Sequence, residues 1–465
     1  MDLKDFFGSF NFGRVRGFFI KNKNFELDPN VATVIAQIAC NNNKLPQGSP
    51  CSPVITNLIT HHLDVRLATL SKKNSCYYSR YADDITISTR KKVFPSQIMK
   101  QENGIYISGK RLKDEISRAG FVINSEKTRI LYCDSRQEVT GLVSNKKPSI
   151  KYEYWRSVRA QCHRLFKTGS FTKFDGEKEV EGNINELEGK LNFIDQIDYF
   201  NRKRQKPPLN PEYLKDKDTR KKCSLLIGRE KTFSRFLYYR WFYGNKKPTI
   251  LTEGETDIIY LSSAIHRRSK EYPKLAKIEN NKYEPLVSFF KNNSRMEFLL
   301  GFSDGAGYFN SFMSSYPKNH AYYKAPKPKS PVIIVLDNDD GFSKVVDKIK
   351  KIKSAKPYPK ELNKEQLKQA DFIHIMENLY MVLTPLGANG EDTCMEDLFD
   401  RKTLSKKVSG KSFNRADKRN NETEFGKKIF AKSVVQAQRN NITFYKFKPL
   451  LKRIVKCIDH YESIK

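Results

Sequence analysis

The chain is poor in acids, in tryptophan and in long apolar runs, and each shortage excludes something. Against 85 lysines and arginines stand 52 aspartates and glutamates, so 465 residues carry a formal net charge of +33. An excess of that size favours a polyanionic partner, and nucleic acid comes first. No apolar stretch approaches the roughly 18–20 residues that cross a bilayer, so no membrane partner is expected. The opening MDLKDFFGSF carries acids where a secretory signal needs a basic start and an apolar core. Eight cysteines, at positions 40, 51, 76, 133, 162, 223, 394 and 457, form no Cys-x-x-Cys pair. That spacing suits neither a zinc finger nor a disulfide framework, and a reducing cytoplasm fits it best. None of the seven histidines has a partner at ligand spacing, so they read as structural.

What is present is enough apolar residue, 38%, for real cores. The length suggests roughly two to four domains. Residues 1–150 alternate helical and strand-like patterns, as an α/β or α+β domain does. From Ser52 to Leu70 the apolar positions keep helical spacing. Residues 151–245 read as mostly helical and very basic, with an exposed loop or linker in NRKRQKPPLNPEYLKDKDTRKKC. Near Pro248 the character changes. TILTEGETDIIYLSSAI reads as strand, tight turn and helix, SPVIIVLDNDDG as a buried strand ending in acids, and FIHIMENLYMVLTPL as further strand. These segments predict a second α/β domain over 246–400, followed by a helical, basic extension over 401–465. No internal repeat is visible.

Two clusters of acids stand out against the basic background. The first is centred on SRYADDITIS, residues 79–88, where Asp83 and Asp84 sit at a predicted hairpin tip between two half-buried strands. Adjacent carboxylates repel, and each raises the pKa of the other unless a cation compensates. Upstream lie DLKDFF, with Asp2, and LPQGSPCSP, a turn whose backbone NH groups and following helix start can face phosphate.

In this order the three segments resemble the core motifs of reverse transcriptases: the first catalytic motif, the nucleotide-positioning motif and the YADD hairpin. GFVINSEKTRI resembles the next motif, with Lys127 in the place of its lysine, and RQEVTGLVSN carries the Val-Thr-Gly triplet of bacterial retron reverse transcriptases. The resemblance implies a right-hand polymerase palm over 1–150 and a basic helical thumb over 151–245 that holds RNA. It implies that Asp2, Asp83 and Asp84 hold two Mg²⁺ ions, with Mn²⁺ as the alternative, for in-line attack at an α-phosphate. It also implies that Phe7 acts as the steric gate against a 2′-hydroxyl, that Gln47 and Gly48 position the nucleotide, and that Lys127 neutralises pyrophosphate. The family places a fingers region ahead of its first catalytic motif, whereas here Asp2 is the second residue. On that ground polymerase activity of this short form is expected to be weak.

The second cluster is spread over three segments. Glu253, in TEGETD, follows an apolar strand and precedes Gly254 and a helix that contains Asp257. Asp337 and Asp339, in VLDNDDG, end another strand and precede Gly341, and CMEDLF adds Glu396 and Asp397. In open α/β sheets, ligands gather at the carboxyl ends of strands, so these acids can converge there around a hard cation. EG..D followed by DNDDG resembles the EG..D and DxDxxG motifs of the TOPRIM domain, a Rossmann-like fold found in topoisomerases, primases and certain nucleases. FLLGFSDGAGYFN resembles its glycine-containing middle segment. The resemblance implies Glu253 as general acid/base, Asp337 and Asp339 as metal holders, and Glu396, joined by Asp397, at a second metal. Asp257 is expected to support the helix start or the outer metal shell. No topoisomerase tyrosine region is visible, so a nuclease is preferred.

A reverse transcriptase followed by TOPRIM resembles the retron reverse transcriptase–TOPRIM fusions of bacteria. Those proteins copy a structured noncoding RNA into a branched satellite DNA from deoxynucleotides and act in defence against phage. The expectation is therefore an RNA-directed DNA polymerase with a nuclease-like effector whose target is a nucleic acid. Two rivals stand beside it: a nuclease that uses a polymerase-derived binding platform, and a non-enzymatic scaffold for an RNA–DNA complex. In the basic helix YEYWRSVRAQCHRLFKTG two readings stand side by side: Arg and Lys contact phosphate while the aromatics pack or stack on bases, or Trp155 and Leu165 are core and the arginines solvated. KTFSRFLYYRWFYG is too aromatic for a free linker and is expected to pack helices against the following domain.

Overall fold

The apolar spacing of Ile55, Leu63, Leu67 and Leu70 puts one stripe on a helix, and a helix runs from Ser52 to Lys73 with all four buried. Pro53 sits in its first turn and Lys72 and Lys73 in its last, the ends that suit each. The computed structural model describes residues 1–205, 225–291, 293–302, 307–352, 358–359, 363–416 and 418–465. The chain divides into two units, Met1–Lys151 and Tyr152–Lys465.

In the first unit, β1 (Asp2–Leu3) precedes helices α1 (Phe12–Lys21), α2 (Pro29–Ala39) and α3 (Ser52–Lys73). Then come β2 (Cys76–Tyr81), β3 (Asp84–Thr89), α4 (Lys110–Arg118) and β4 (Ile123–Asn124). The sheet order is β2-β3-β1-β4, and each neighbouring pair is antiparallel. Phe6, Phe10, Phe19, Leu63, Leu67 and Ile85 join one buried core. Very short β1 is therefore held between two neighbours rather than by its own length. The Val-Thr-Gly triplet forms a two-residue hairpin turn, with Thr140 at φ 46° and Gly141 at φ 82°.

The second unit begins with α5 (Tyr152–Thr168), α6 (Ile184–Lys203) and α7 (Gly228–Tyr238). A short hairpin, Thr172–Asp175 with Lys178–Glu181, interrupts the helical run that the sequence predicts. The predicted loop at 201–223 lies outside the described residues from position 206 onward, as do 303–306 of the glycine-containing segment. After α7 the chain builds β5 (Thr249–Leu251), α8 (Glu255–Arg267), β6 (Ser288–Phe289), α9 (Ser294–Leu300) and α10 (Gly307–His320). It continues through β7 (Val332–Leu336), α11 (Asp340–Lys350), β8 (Ile373–Met376) and β9 (Leu379–Leu383). The sheet order is β6-β5-β7-β9-β8, parallel except for the antiparallel edge strand β8. Every residue of β7 and β9 is buried, as expected when both sheet faces are covered.

Two features depart from the sequence reading. The stretch 401–465 is not continuously helical: short strands at Ser412–Phe413 and Glu424–Phe425 and a π-helix at Phe430–Gln436 precede the long helix α12 (Lys448–Ile464). Nor is it peripheral. Phe430, Val434, Leu451, Ile454 and Ile458 share one core with Ile250, Ile333 and Tyr380 of the sheet. Burying such side chains contributes roughly 1.5–3 kcal/mol each, and that tertiary gain overrides local helical preference. The aromatic stretch 231–244 does pack: Tyr238, Phe242 and Tyr243 meet Tyr316, Phe312 and Tyr323. Asn378 ties this layer to the sheet, accepting from the Tyr316 hydroxyl at 2.7 Å and donating to the Phe242 carbonyl at 3.1 Å.

Candidate functional site

In the first unit, β2 and β3 are joined by the two residues Ala82 and Asp83, with Tyr81 and Asp84 paired across the turn. Ala82 has φ 52°, a left-handed conformation that disfavours a residue with a Cβ by about 1–2 kcal/mol. Asp2 lies directly opposite Asp84, and the Leu3 amide donates to the Asp83 carbonyl at 2.9 Å. Three carboxylates thus come from one short strand and one hairpin tip. Asp2 also receives Asn124 Nδ2 at 3.4 Å, and Lys127 Nζ stands 3.5 Å from its other oxygen.

The tip is fixed by a residue that sequence reasoning missed. Arg80 donates from Nη1 to the Ala82 carbonyl at 2.7 Å and from Nε to Asp64 Oδ1 on α3, also at 2.7 Å. Tyr78 donates to the same Asp64 oxygen at 2.6 Å. Burial raises the Asp64 carboxyl, but hydrogen bonds from Arg80 and Tyr78 outweigh it and hold the group below its usual range. The visible signal is an acid on α3 one turn beyond Thr60, in line with the buried Thr56 and Thr60. Phe7 begins a short 3₁₀ turn and packs edge-on against buried Phe6. In that turn, Gly8 leaves room for the Asp5 carboxylate, which a Cβ would meet at 2.3 Å. Gln47 and Gly48 occupy an exposed turn ahead of α3, with Gly48 at φ 91°. Among the described residues, neither is hydrogen-bonded to the three carboxylates.

In the second unit, acids gather where β5 and β7 end. Glu253 lies two residues beyond β5, and its Oε1 accepts the Asp337 amide at 3.4 Å. Asp337 immediately follows β7, and its Oδ1 accepts the Met395 amide at 3.0 Å. That contact brings Glu396, 2% exposed, into the group. Asp257 sits in the first turn of α8 and accepts the Gly254 amide at 2.9 Å, so it caps the helix.

Burial, then the charge of Glu253, Asp257 and Glu396, pushes Asp337 up to about 8. Burial, with Glu396 adding to it, pushes Asp257 up to about 6. Glu253 is raised by burial, with Asp339 and Asp257 adding to it. Asp339 itself is exposed. Asp397 is engaged away from the group, accepting the Cys394 amide at 2.9 Å and pairing with Arg415 at 2.9 Å.

A cation absent from the sequence reading meets this group: Lys427 Nζ lies 3.1 Å from Glu396 Oε1. Burial alone lowers the lysine, but Glu396 outweighs it and the group is raised. Nothing in the local pattern distinguishes Lys427 from other lysines of the basic C-terminal stretch, because folding alone brings it to the strand ends. One lysine does not neutralise four nearby carboxyls, and that shortfall adds to burial, the larger cause, in raising Asp337, Asp257 and Glu253. An all-oxygen donor set with surplus negative charge fits a hard divalent ion. Among the described residues, no three His, Cys, Asp or Glu side chains stand at a spacing that already closes around a metal. No described helix is long and apolar enough to cross a membrane.

Residues 13–154 match the reverse transcriptase (RNA-dependent DNA polymerase) family, so the mixed α/β chain carries a domain of that class. Similarity extends to retron reverse transcriptases. The chain is 35% identical to the Retron Ec86 reverse transcriptase of Escherichia coli over 167 residues, 36% of this chain and 48% of that protein. It is 30% identical to the Retron Mx162 reverse transcriptase of Myxococcus xanthus over 220 residues, 43% of this chain and 44% of that protein. With the Retron Mx65 reverse transcriptase of the same organism it shares 28% over 215 residues, 42% of this chain and 45% of that protein. The chain thus spans about half the length of the curated relatives it matches.

Proposed function

We propose that this protein is a retron-type RNA-directed DNA polymerase that carries a TOPRIM nuclease-like effector in its second unit. The observation that carries the polymerase reading is the direct opposition of Asp2 and Asp84 beside Asp83, in a unit whose residues from 13 onward match reverse transcriptases. Asp2, Asp83 and Asp84 would hold the metal ions. Bound there, Mg²⁺ or Mn²⁺ supplies Lewis acidity and lowers the pKa of the attacking hydroxyl. Arg80 keeps the hairpin tip aimed. Lys127, exposed and beside Asp2, neutralises pyrophosphate as it leaves. Phe7 rejects a ribose 2′-hydroxyl, and the Gln47–Gly48 turn positions the incoming deoxynucleotide. The template-primer is a structured noncoding RNA, and the product is a DNA linked to it. Residues 151–245 serve as the thumb that holds that RNA.

For the second unit, the parallel sheet and the acids at its strand ends support the TOPRIM reading. Glu253, whose carboxyl burial raises above its ordinary value, acts as general acid/base. Asp337, Asp339 and Glu396 would hold metal, and Asp257 fixes the helix start. The reaction is phosphodiester cleavage of a nucleic-acid target, and the role of the whole is defence against phage in the bacterial cytoplasm. The test is RNA-templated addition of labelled deoxynucleotides by the purified full chain with its cognate RNA. The reading predicts a ribonuclease-sensitive template and an RNA-joined DNA product. Metal-dependent nucleic-acid cleavage without any templated synthesis would favour the binding-platform alternative instead.

A further inference from the structure

Apart from both carboxylate groups, the second unit contains a cavity of about 540 Å³ between α5, the first turns of α7 and Tyr322. That volume falls in the roughly 300–1,000 Å³ range of small-molecule sites. Trp155, Arg159, Arg229, Lys231, Arg235 and Tyr322 line it, and no carboxylate does. Arg229 is paired with Asp198. Arg159, Lys231 and Arg235 form no ion pair with a described residue, so their charge is left for something else. Arg235 is already held in place: its guanidinium lies 4.1 Å from the centre of the Tyr322 ring, and Nη1 donates to the Tyr322 hydroxyl at 3.0 Å. Trp155, which the sequence leaves between core and base-stacking roles, is only half-buried and lines this space. Gly228 opens α7, and a Cβ added there meets nothing within 4 Å, so the free volume reaches the backbone.

Uncompensated like charges around a concavity concentrate anions, and aromatic walls offer a face to a flat ring. We propose that this cavity binds a nucleoside phosphate, with the base against Trp155 and Tyr322 and the phosphate toward Arg159 and Lys231. The ligand is either a free mononucleotide or one residue of a bound single strand. The inference uses none of the carboxylates of either group; all its residues but Tyr322 lie in the 151–245 stretch proposed above as the thumb, and where the ligand is a strand residue it rests on that reading.

Trp155 provides the assay. The chain has two tryptophans, so Trp241→Phe leaves Trp155 as the sole reporter in the full-length protein. Titration with deoxyadenosine monophosphate, inorganic phosphate and a short single-stranded oligodeoxynucleotide is followed by its fluorescence, with calorimetry on the unmodified chain in parallel. The proposal expects saturable binding of the mononucleotide or the oligonucleotide. It expects about tenfold or greater weakening in Arg159→Gln/Lys231→Gln and in Gly228→Leu, whose added side chain fills the cavity. A mononucleotide that binds as tightly as the oligonucleotide identifies a free ligand, and an oligonucleotide that binds at least about tenfold more tightly identifies a strand residue. Either result carries the proposal only with that weakening. Equal response to inorganic phosphate, no response to either nucleotide, or unchanged affinity in the double charge variant overturns it. That double variant decides the matter if Gly228→Leu lowers the melting temperature.

Discussion

Lys127 Nζ stands 3.5 Å from one carboxylate oxygen of Asp2, on the strand directly opposite Asp84. The lysine side chain is 65% exposed, so the pair adds at most about 1 kcal/mol to stability. Lys127→Ala should therefore leave the melting temperature nearly unchanged. If the lysine meets developing negative charge, the same change lowers the rate of nucleotide addition by about 10–100-fold. Single-turnover primer extension beside a thermal melt separates these effects. An unchanged rate would remove Lys127 from the reaction.

The Arg80–Asp64 pair governs the hairpin. The Arg80 side chain is only 4% exposed, so Arg80→Ala leaves Asp64 short of its partner and should destabilise the first unit by about 2–3 kcal/mol. Because the native state depresses the Asp64 pKa, its contribution is present above the unfolded value and is lost as pH falls below about 4. Asp64→Asn should flatten the acid limb of the stability curve. Denaturant titrations between pH 3 and pH 6 would check this.

Asp337 predicts the opposite sign. Its folded pKa is raised to about 8, against about 3.9 unfolded. Between those values the native state holds a proton that the unfolded chain has released. Stability of the metal-free second unit therefore falls as pH rises from about 4 to 8, by no more than about 1.4 kcal/mol per pH unit. Asp337→Asn should lessen that slope, most of all between pH 6 and 8, above the value to which Asp257 is raised, and raise the melting temperature at pH 8 in chelator. Magnesium should reduce the slope in the unmodified chain but not in the variant. An equal slope in both proteins would contradict the assignment.

Glu230 is 1% exposed and sits between two guanidiniums, those of Arg202 and, at 2.8 Å, Arg295. Arg295 in turn reaches Asp195 on α6, so α6, α7 and α9 are tied through one buried ion group. Removing a single partner strands the others: Glu230→Ala should destabilise the second unit by about 3–5 kcal/mol. Calorimetric melting should show the transition of that unit shift while the first unit holds its own.

The local elements were largely legible. Apolar spacing located α3, and the strand–turn–helix at residues 249–267 and the strand at 332–336 follow from apolar runs that stop at Gly and acids. The paired acids were legible because adjacent carboxylates repel one another unless a cation gathers them. What was not legible depends on distant packing. Arg80 and Asp64 lie sixteen positions apart, and only the docking of the hairpin on α3 joins them. Lys427 reaches Glu396 from a stretch whose composition promises helix, but whose Phe430, Val434 and Val435 are claimed by the sheet. Trp155 matches helical core spacing, and only the adjoining cavity makes it a wall.

The central claim is that the two groups of acids perform separate phosphoryl-transfer reactions. Asp83→Asn and Glu253→Gln, each in the full chain, are compared for templated DNA synthesis and for magnesium-dependent phosphodiester cleavage. The account predicts that Asp83→Asn reduces synthesis by about 10³-fold or more and spares cleavage, whereas Glu253→Gln does the reverse. Full synthesis by Asp83→Asn, or loss of both reactions in either variant with the fold intact, would contradict it.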